Sequence, residues 1–256
     1  MRVLVLGGTT EARQLYTLLE RHAARFDTTV SLAGVTRAPV LPALAVRIGG
    51  FGGADGLRDW LLAHRIDAVV DATHPFATQI SGNAVRACAA AHVSLLRVER
   101  PGWAPTPDDR WTLVPDMQAA ARALGAKPRR VLLTVGRKDL LPFAGAGAHD
   151  WLLRSVDHPD ASLLPPGCRV LLARGPFAEA EEEVLLRRER IDVIVTKNSG
   201  GSATRAKLAA ARRLGVAVIM VARPPVACAH TVADTLAAMA WLDGLYAHGA
   251  ATLREV

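Results

Sequence analysis

The chain opens on Met1–Thr10, MRVLVLGGTT, and the fold is decided by how this stretch is read. Val3–Leu6 is a short apolar run ended by Gly7 and Gly8. Thr9, Thr10 and Glu11 then start a helical pattern whose apolar stripe is Leu15, Leu18 and Leu19. A buried strand, a glycine turn and a helix N-terminus, in that order, make a phosphate site. Glycine lets the backbone approach the ligand, and the free N–H groups and helix dipole attract the anion. A dinucleotide fingerprint wants glycines at positions 7, 9 and 12. Gly7 fits, but Thr9 and Ala12 stand at the other two, so the pattern also suits an ordinary tight turn.

Further strands follow at regular spacing. Thr29–Ala33 is a second strand, followed by Gly34, Val35, Thr36 and Arg37. An NAD-binding sheet carries an acid near this point. A hydroxyl and a guanidinium suit the extra phosphate of NADP instead. Ala45–Ile48 runs into Gly49, Gly50, Phe51, Gly52 and Gly53, a run that permits close backbone approach to a ligand. Asp55 is expected to cap the next helix, with Leu57, Trp60, Leu61 and Leu62 inward. Ile66–Ala72 reads as a fully buried strand ending in Thr73, His74, Pro75 and Phe76, at the strand end where open α/β sheets bind ligands. A lone histidine there also serves to hydrogen-bond the turn. Ile80–Ala91 is helical and Val93–Val98 a fifth strand. Pro101–Asp109, with three prolines and a glycine, reads as a connection.

The second half repeats the pattern. Strands are expected at Trp111–Val114, Val131–Val135, Trp151–Val156, Val170–Ala173, Ile191–Thr196 and Val216–Val221. Helices are expected at 116–124, 178–189, 204–214 and 232–248, the last with Leu236, Met239, Ala240 and Leu242 inward. Lys197, Asn198, Ser199, Gly200, Gly201 and Ser202 form a second glycine-rich loop ahead of a helix. It has no Walker pattern. IDAVVDATHP at Ile66 echoes IDVIVTKNSG at Ile191, SLLRVERP at Ser94 echoes AVIMVARP at Ala217, and LVLGG at Leu4 echoes LLTVGR at Leu132. Two related α/β domains are therefore expected, each a Rossmann-like parallel sheet, with a cleft between them. The strand ends at Gly7, Thr73, Gly136 and Lys197 face that cleft if the domains face each other. Residues 1–100 form the first domain, 101–110 a linker, 111–248 the second domain and 249–256 a tail.

Half of the 256 residues are hydrophobic and few are aromatic, which suits helices packed on parallel strands. Lys and Arg exceed Asp and Glu by seven, a surplus that favours phosphorylated or carboxylate-rich partners. No basic run with interleaved aromatics points to nucleic acid. No stretch approaches a membrane span, and no signal peptide is visible. Cys88, Cys168 and Cys228 have neither metal nor disulfide spacing, so buried thiols in a reduced cytoplasmic setting are expected.

LGGTTEAR (6–13), GGFGG (49–53), DATHPFA (71–77), ERPGW (99–103), RGPF (174–177) and TKNSGG (196–201), in this order across the whole chain, resemble the precorrin-6A reductases of cobalamin biosynthesis. The resemblance implies hydride transfer from NADPH to a conjugated double bond of a carboxylate-fringed macrocycle, without flavin or catalytic metal. On this reading Gly7, Gly8, Thr9 and Thr10 bind the pyrophosphate, and Thr36 and Arg37 the extra phosphate. Gly50, Phe51, Gly52, Gly53, Thr73 and Pro75 line the cofactor. Arg137, Lys197, Asn198, Ser199, Gly200 and Gly201 face the substrate. His74 and Lys197 are the candidate proton donors, with solvent as the alternative. Three other readings remain. A reductase or epimerase of a small metabolite would need a Tyr–Lys pair, and Tyr16 and Tyr246 do not lie at strand ends. A non-catalytic nucleotide-binding domain leaves the second glycine-rich loop unexplained. A tetrapyrrole methyltransferase does not need the NADP-type arginine.

Overall fold

The computed structural model describes residues 1–34, 42–226 and 230–252, the last four by backbone alone. The chain divides into two units, Met1–Arg100 with the segment from Pro224 onward, and Pro101–Arg223.

Unit 1 is built on β1 (Arg2–Leu6), whose last four residues are buried. Strand periodicity sends its side chains to opposite faces. Val3 and Val5 join Leu15, Leu19, Phe26 and Leu242 on one side, and Leu4 and Leu6 join Leu57, Leu61 and Val69 on the other. Around it lie α1 (Thr10–Arg21), β2 (Asp27–Leu32), β3 (Ala45–Ile48), α2 (Gly53–Ala63), β4 (Ala68–Asp71), α3 (Thr78–Ala91) and β5 (Ser94–Val98). Gly52, in the left-handed conformation, caps α2. Asp55 sits inside the first turn instead, where it pairs with Arg58, and Leu62 is exposed.

Unit 2 holds β6 (Trp111–Val114), α4 (Met117–Ala123), β7 (Arg130–Thr134), β8 (Asp150–Ser155), β9 (Arg169–Leu172), α5 (Glu179–Arg188), β10 (Val193–Lys197), α6 (Ala206–Leu214) and β11 (Ala217–Val221). Leu132, Leu152, Ile194, Val218 and Met220 pack under Leu185, Leu186 and Leu208 of the two helices. Trp151–Arg154 of β8 are buried without interruption, so this strand lies within the sheet and does not alternate as its sequence suggests. After β7 there is no counterpart of α1. Pro142 and the glycines near it limit the chain to two 3-10 turns, at Arg137–Asp139 and Leu141–Phe143.

The chain then returns to unit 1 as β12 (Thr231–Val232) and α7 (Thr235–Thr252). The two six-stranded parallel sheets have the orders β12-β5-β4-β1-β2-β3 and β6-β11-β10-β7-β8-β9. Position by position these orders are equivalent, and the first-named strand of each follows the second-named strand of the other in the sequence. The segment following β5 completes the second sheet, and the segment following β11 completes the first. The sequence division is corrected accordingly, because residues 231–252 belong to unit 1. β12 pairs with β5, and Ala238, Met239 and Leu242 bury themselves beside Leu15 and Leu19. Leu236 and Ala240 face outward. Of the expected tail, 249–252 continue α7, and 253–256 lie outside the described residues. Among the described residues no helix is long and apolar enough to cross a membrane.

Unit 2 also buries three charges. Arg154 of β8 pairs with Glu182 of α5, and Lys207 of α6, 4% exposed, donates from Nζ to the Thr204 carbonyl at 2.9 Å. Burial, together with the nearby Arg154, pushes the Lys207 pKa down to about 7 against the opposing pull of Glu182. Between that value and the ordinary 10.5 the unfolded chain binds more protons than the folded one, so stability rises with pH across the window. The penalty is complete below about 7 and absent above 10.5. Lys207→Met is expected to flatten this rise and to raise the urea midpoint at neutral pH, read from denaturation curves at a series of pH values. Ending the chain after Val226 strips unit 1 of Met239 and Leu242, each worth about 2 kcal/mol of burial. Calorimetry of that truncation should show the unit 1 transition lost and that of Pro101–Arg223 retained.

Candidate functional site

In parallel sheets the loops at the carboxyl ends of the strands carry the chemistry. In unit 1 the first of these is the turn from β1 into α1. Gly7 N–H donates to the Ser31 carbonyl at 3.0 Å, joining the ends of β1 and β2. The buried Thr9 caps α1, its Oγ1 accepting from Ala12 N–H at 3.1 Å and donating to the Ala72 carbonyl at 2.8 Å. One hydroxyl thus ties the turn, the helix start and the end of β4 together. Gly8 and Thr10 are exposed beside it, and Glu11 is held by Arg100. A Cβ at Gly7 would overlap the Tyr16 hydroxyl, so the residue is glycine for space, not for conformation. Tyr16 was not legible as a site residue, since it lies on the helix and away from any strand end. Its ring fills the floor of the turn, and burial, partly offset by the Gly8 backbone and Arg13, pushes its phenol pKa up to about 12.

The loop after β3 contains Gly49, Gly52 and Gly53 at positive φ. Arg47, on β3, organises it. Its guanidinium donates to the carbonyls of Gly49 at 2.7 Å and Gly50 at 2.5 Å, and lies 3.6 Å over the Phe51 ring.

The loop after β4 rests on a buried network. Asp71 accepts from Thr73 N–H at 3.1 Å and Thr73 Oγ1 at 2.6 Å with one oxygen, and from Arg97 at 2.7 Å with the other. Arg97 also reaches Ser81 and Glu99. Above this network His74 Nδ1 accepts from Phe76 N–H at 3.2 Å, and Pro75 is buried.

Unit 2 presents a different edge. Asp139 Oδ2 accepts from Gly136 N–H at 3.1 Å and pairs with Lys197 Nζ at 2.5 Å, joining the ends of β7 and β10. Arg137 belongs to the same turn. The Asn198 amide clamps the Trp103 backbone in both directions, Oδ1 accepting at 2.7 Å and Nδ2 donating at 2.9 Å, while Trp103 Nε1 donates to the Gly201 carbonyl. Gly200, at φ +66°, lies where a Cβ would strike the Pro101 carbonyl.

The expected residues therefore fall into two groups, each at one sheet's carboxyl edge. Gly7–Thr10, Gly50–Gly53 and Thr73–Pro75 cluster in unit 1, and Arg137 with Lys197–Gly201 in unit 2. Thr36, Arg37 and Cys228 lie outside the described residues. Cys88 is buried, while Cys168 is half-exposed, against the expectation of a core thiol. Gly7→Ala is expected to cost about 1–3 kcal/mol through overpacking against Tyr16. Tyr16→Phe removes the clashing atom, so the double variant should recover much of that loss in a denaturation cycle. Strict additivity would show that the hydroxyl is not what excludes the methyl group.

A family model described as "Precorrin-6x reductase CbiJ/CobK" matches residues 2–243. The chain is 52% identical to a precorrin-6A reductase of Sinorhizobium sp, over 87% of this chain and 85% of that one. It is 49% identical to one of Rhodococcus erythropolis, over 95% and 98%. A solved structure described as CobK precorrin-6A reductase superposes with a TM-score of 0.89 at 47% identity, covering 96% of this chain and 97% of that one. With a family model spanning nearly every residue and the same two-sheet architecture in a relative of close to half identity, the chain belongs to the CbiJ/CobK precorrin-6x reductases, a family of oxidoreductases.

Proposed function

We propose that this chain binds NADPH on unit 1 and reduces a ring double bond of a precorrin-6A-type macrocycle, a step of cobalamin biosynthesis. The observation that supports this most directly is the β1–Gly7–Gly8–α1 turn in a sheet of order β3-β2-β1-β4-β5, the order of dinucleotide-binding sheets. The donor set fits the cofactor. Backbone N–H groups open α1 beside the exposed Gly8, and no acidic residue occurs between Asp27 and Asp55, where NAD-binding sheets place one. Unit 2 lacks the equivalent site, because a 3-10 turn and the Asp139 carboxylate occupy the place of α1.

When bound, NADPH supplies the hydride. The chain's own residues position and protonate. Gly8, Thr9 and Thr10 offer backbone donors to the pyrophosphate, and Gly7, its own N–H held by the Ser31 carbonyl, gives the close approach, while Gly50–Gly53 and Thr73–Pro75 line the nucleotide. Because His74 Nδ1 accepts a hydrogen bond, the neutral ring keeps its proton on Nε2, the atom from which it donates. Asp139 fixes Lys197 Nζ, the second proton donor. Arg137, Lys197 and Ser199 take the substrate carboxylates, and Asn198, Gly200 and Gly201 support them by seating the loop on Trp103. The free thiols Cys88 and Cys168 suit the reducing cytoplasm.

Turnover of precorrin-6A with NADPH deuterated at the transferable position should place the label in the product. A product without label would exclude direct transfer. Lys197→Ala and His74→Ala, measured separately, should identify the proton donor by a fall in kcat of about 100-fold or more. Undiminished turnover in either variant removes that residue from the proton step.

A further inference from the structure

Among the described residues, the arginines of unit 1 that are at least partly buried answer carboxylates, with one exception. Arg97 pairs with Asp71 and Glu99, Arg100 with Glu11, Arg25 with Asp243, and Arg58 with Asp55 and Asp59. Arg47 has no carboxylate within ion-pair distance among the described residues. Its partners are the carbonyls of Gly49 and Gly50, the Ser31 hydroxyl at 3.4 Å and the face of Phe51, all neutral. Burial lowers its pKa, and no opposing charge offsets that. The protein thus holds a guanidinium in one orientation, by a three-point hydrogen-bond set and a ring stack, and leaves its charge unanswered. Such an arrangement destabilises the free protein and suits an anion.

Its position says which anion. β3 lies beside β2, and β2 beside β1. Ser31, at the end of β2, accepts from Gly7 N–H through its carbonyl and from Arg47 through its hydroxyl, so a single residue links the pyrophosphate turn to the guanidinium. In this strand order the adenosine ribose falls at the end of β2, and its 2′ substituent is what an acid or an arginine there distinguishes. We infer that Arg47 is a specificity-determining residue of this enzyme, in addition to Thr36 and Arg37. It receives the 2′-phosphate of NADPH, and Phe51 holds the guanidinium plane. The assignment rests on the proposed NADPH site and adds to it a residue that the opening motif does not contain.

The test is a binding titration of the whole enzyme, without macrocycle, using two matched pairs of ligands: NADPH with NADH, and 2′,5′-ADP with 5′-AMP. In the wild type the phosphate-bearing member of each pair should bind more tightly. Arg47→Gln should weaken that member by about tenfold or more while leaving NADH and 5′-AMP within about twofold, as expected for one charge-assisted bidentate contact. Arg47→Lys should fall between, keeping the charge but losing the fork and the stack. Equal weakening of both members would mean that Arg47 only supports the Gly49–Gly53 loop, and would overturn the assignment. Undiminished preference in Arg47→Gln would overturn it too, with the NADPH site intact. A wild type that does not prefer NADPH would instead sink the NADPH reading itself.

Discussion

The ion pair between Asp71 and Arg97, each 3% exposed, is the contact on which unit 1 depends. The two residues are register partners at the ends of β4 and β5. Everything that leaves those strands is attached to the pair. Thr73 hangs on one Asp71 oxygen and carries the His74 turn, and Ser81 connects Arg97 to α3. The Arg97 and Glu99 backbones receive β12 as the chain returns, through bonds to the carbonyls of His230 and Val232. Removing one partner from such a buried pair typically costs about 3–5 kcal/mol, because the other charge is left without an answer.

The second sheet shows what the pair is for. The register partners at the same place in unit 2 are Thr196 and Met220, uncharged and buried, and the sheet is complete without an ion pair. A hydrophobic pair of similar size is often as stable as a salt bridge, so stability alone does not require the charges. Unit 1 keeps them beneath the loop that carries His74. Unit 2 moves its charge one residue further on, to Lys197, and answers it with Asp139 from the 3-10 turn after the neighbouring strand β7. The two copies of one framework thus differ at this edge, one opening a helix whose first-turn acid, Glu11, is paired with Arg100, the other with the Asp139 carboxylate in that place.

Much of this was legible in the sequence. β3 and β6 have the expected ends, the glycine turn and the DATHP and TKNSG loops sit at strand termini, and the internal echo corresponds to equivalent strands. The reason is that these features are local, since alternation and glycine placement report on the chain's own geometry. What was not legible depends on distant partners. Residues 231–252 read as a natural continuation of the second half, and nothing in their own pattern says that their face fits α1. Nothing in the sequence singles out Arg47 or Lys207, because charge in a short edge strand or a helix is ordinarily solvated. Only the absence of a carboxylate near one, and the lid of Trp103 over the other, 5.2 Å from ring to Nζ, sets them apart.

The reciprocal exchange of closing segments also reverses the order in which the protein can be finished. Both echoed motifs end in Arg-Pro, at Arg100–Pro101 and Arg223–Pro224, and these are the points where the chain leaves one unit for the other. Unit 2 is contiguous and can close as soon as Arg223 has left the ribosome. Unit 1, although its first hundred residues are made earliest, must wait with an open sheet edge and an uncovered α1 until α7 emerges. Domains made at the N-terminus usually fold first. Here the half that carries the β1–Gly7–Gly8–α1 turn is translated first and completed last.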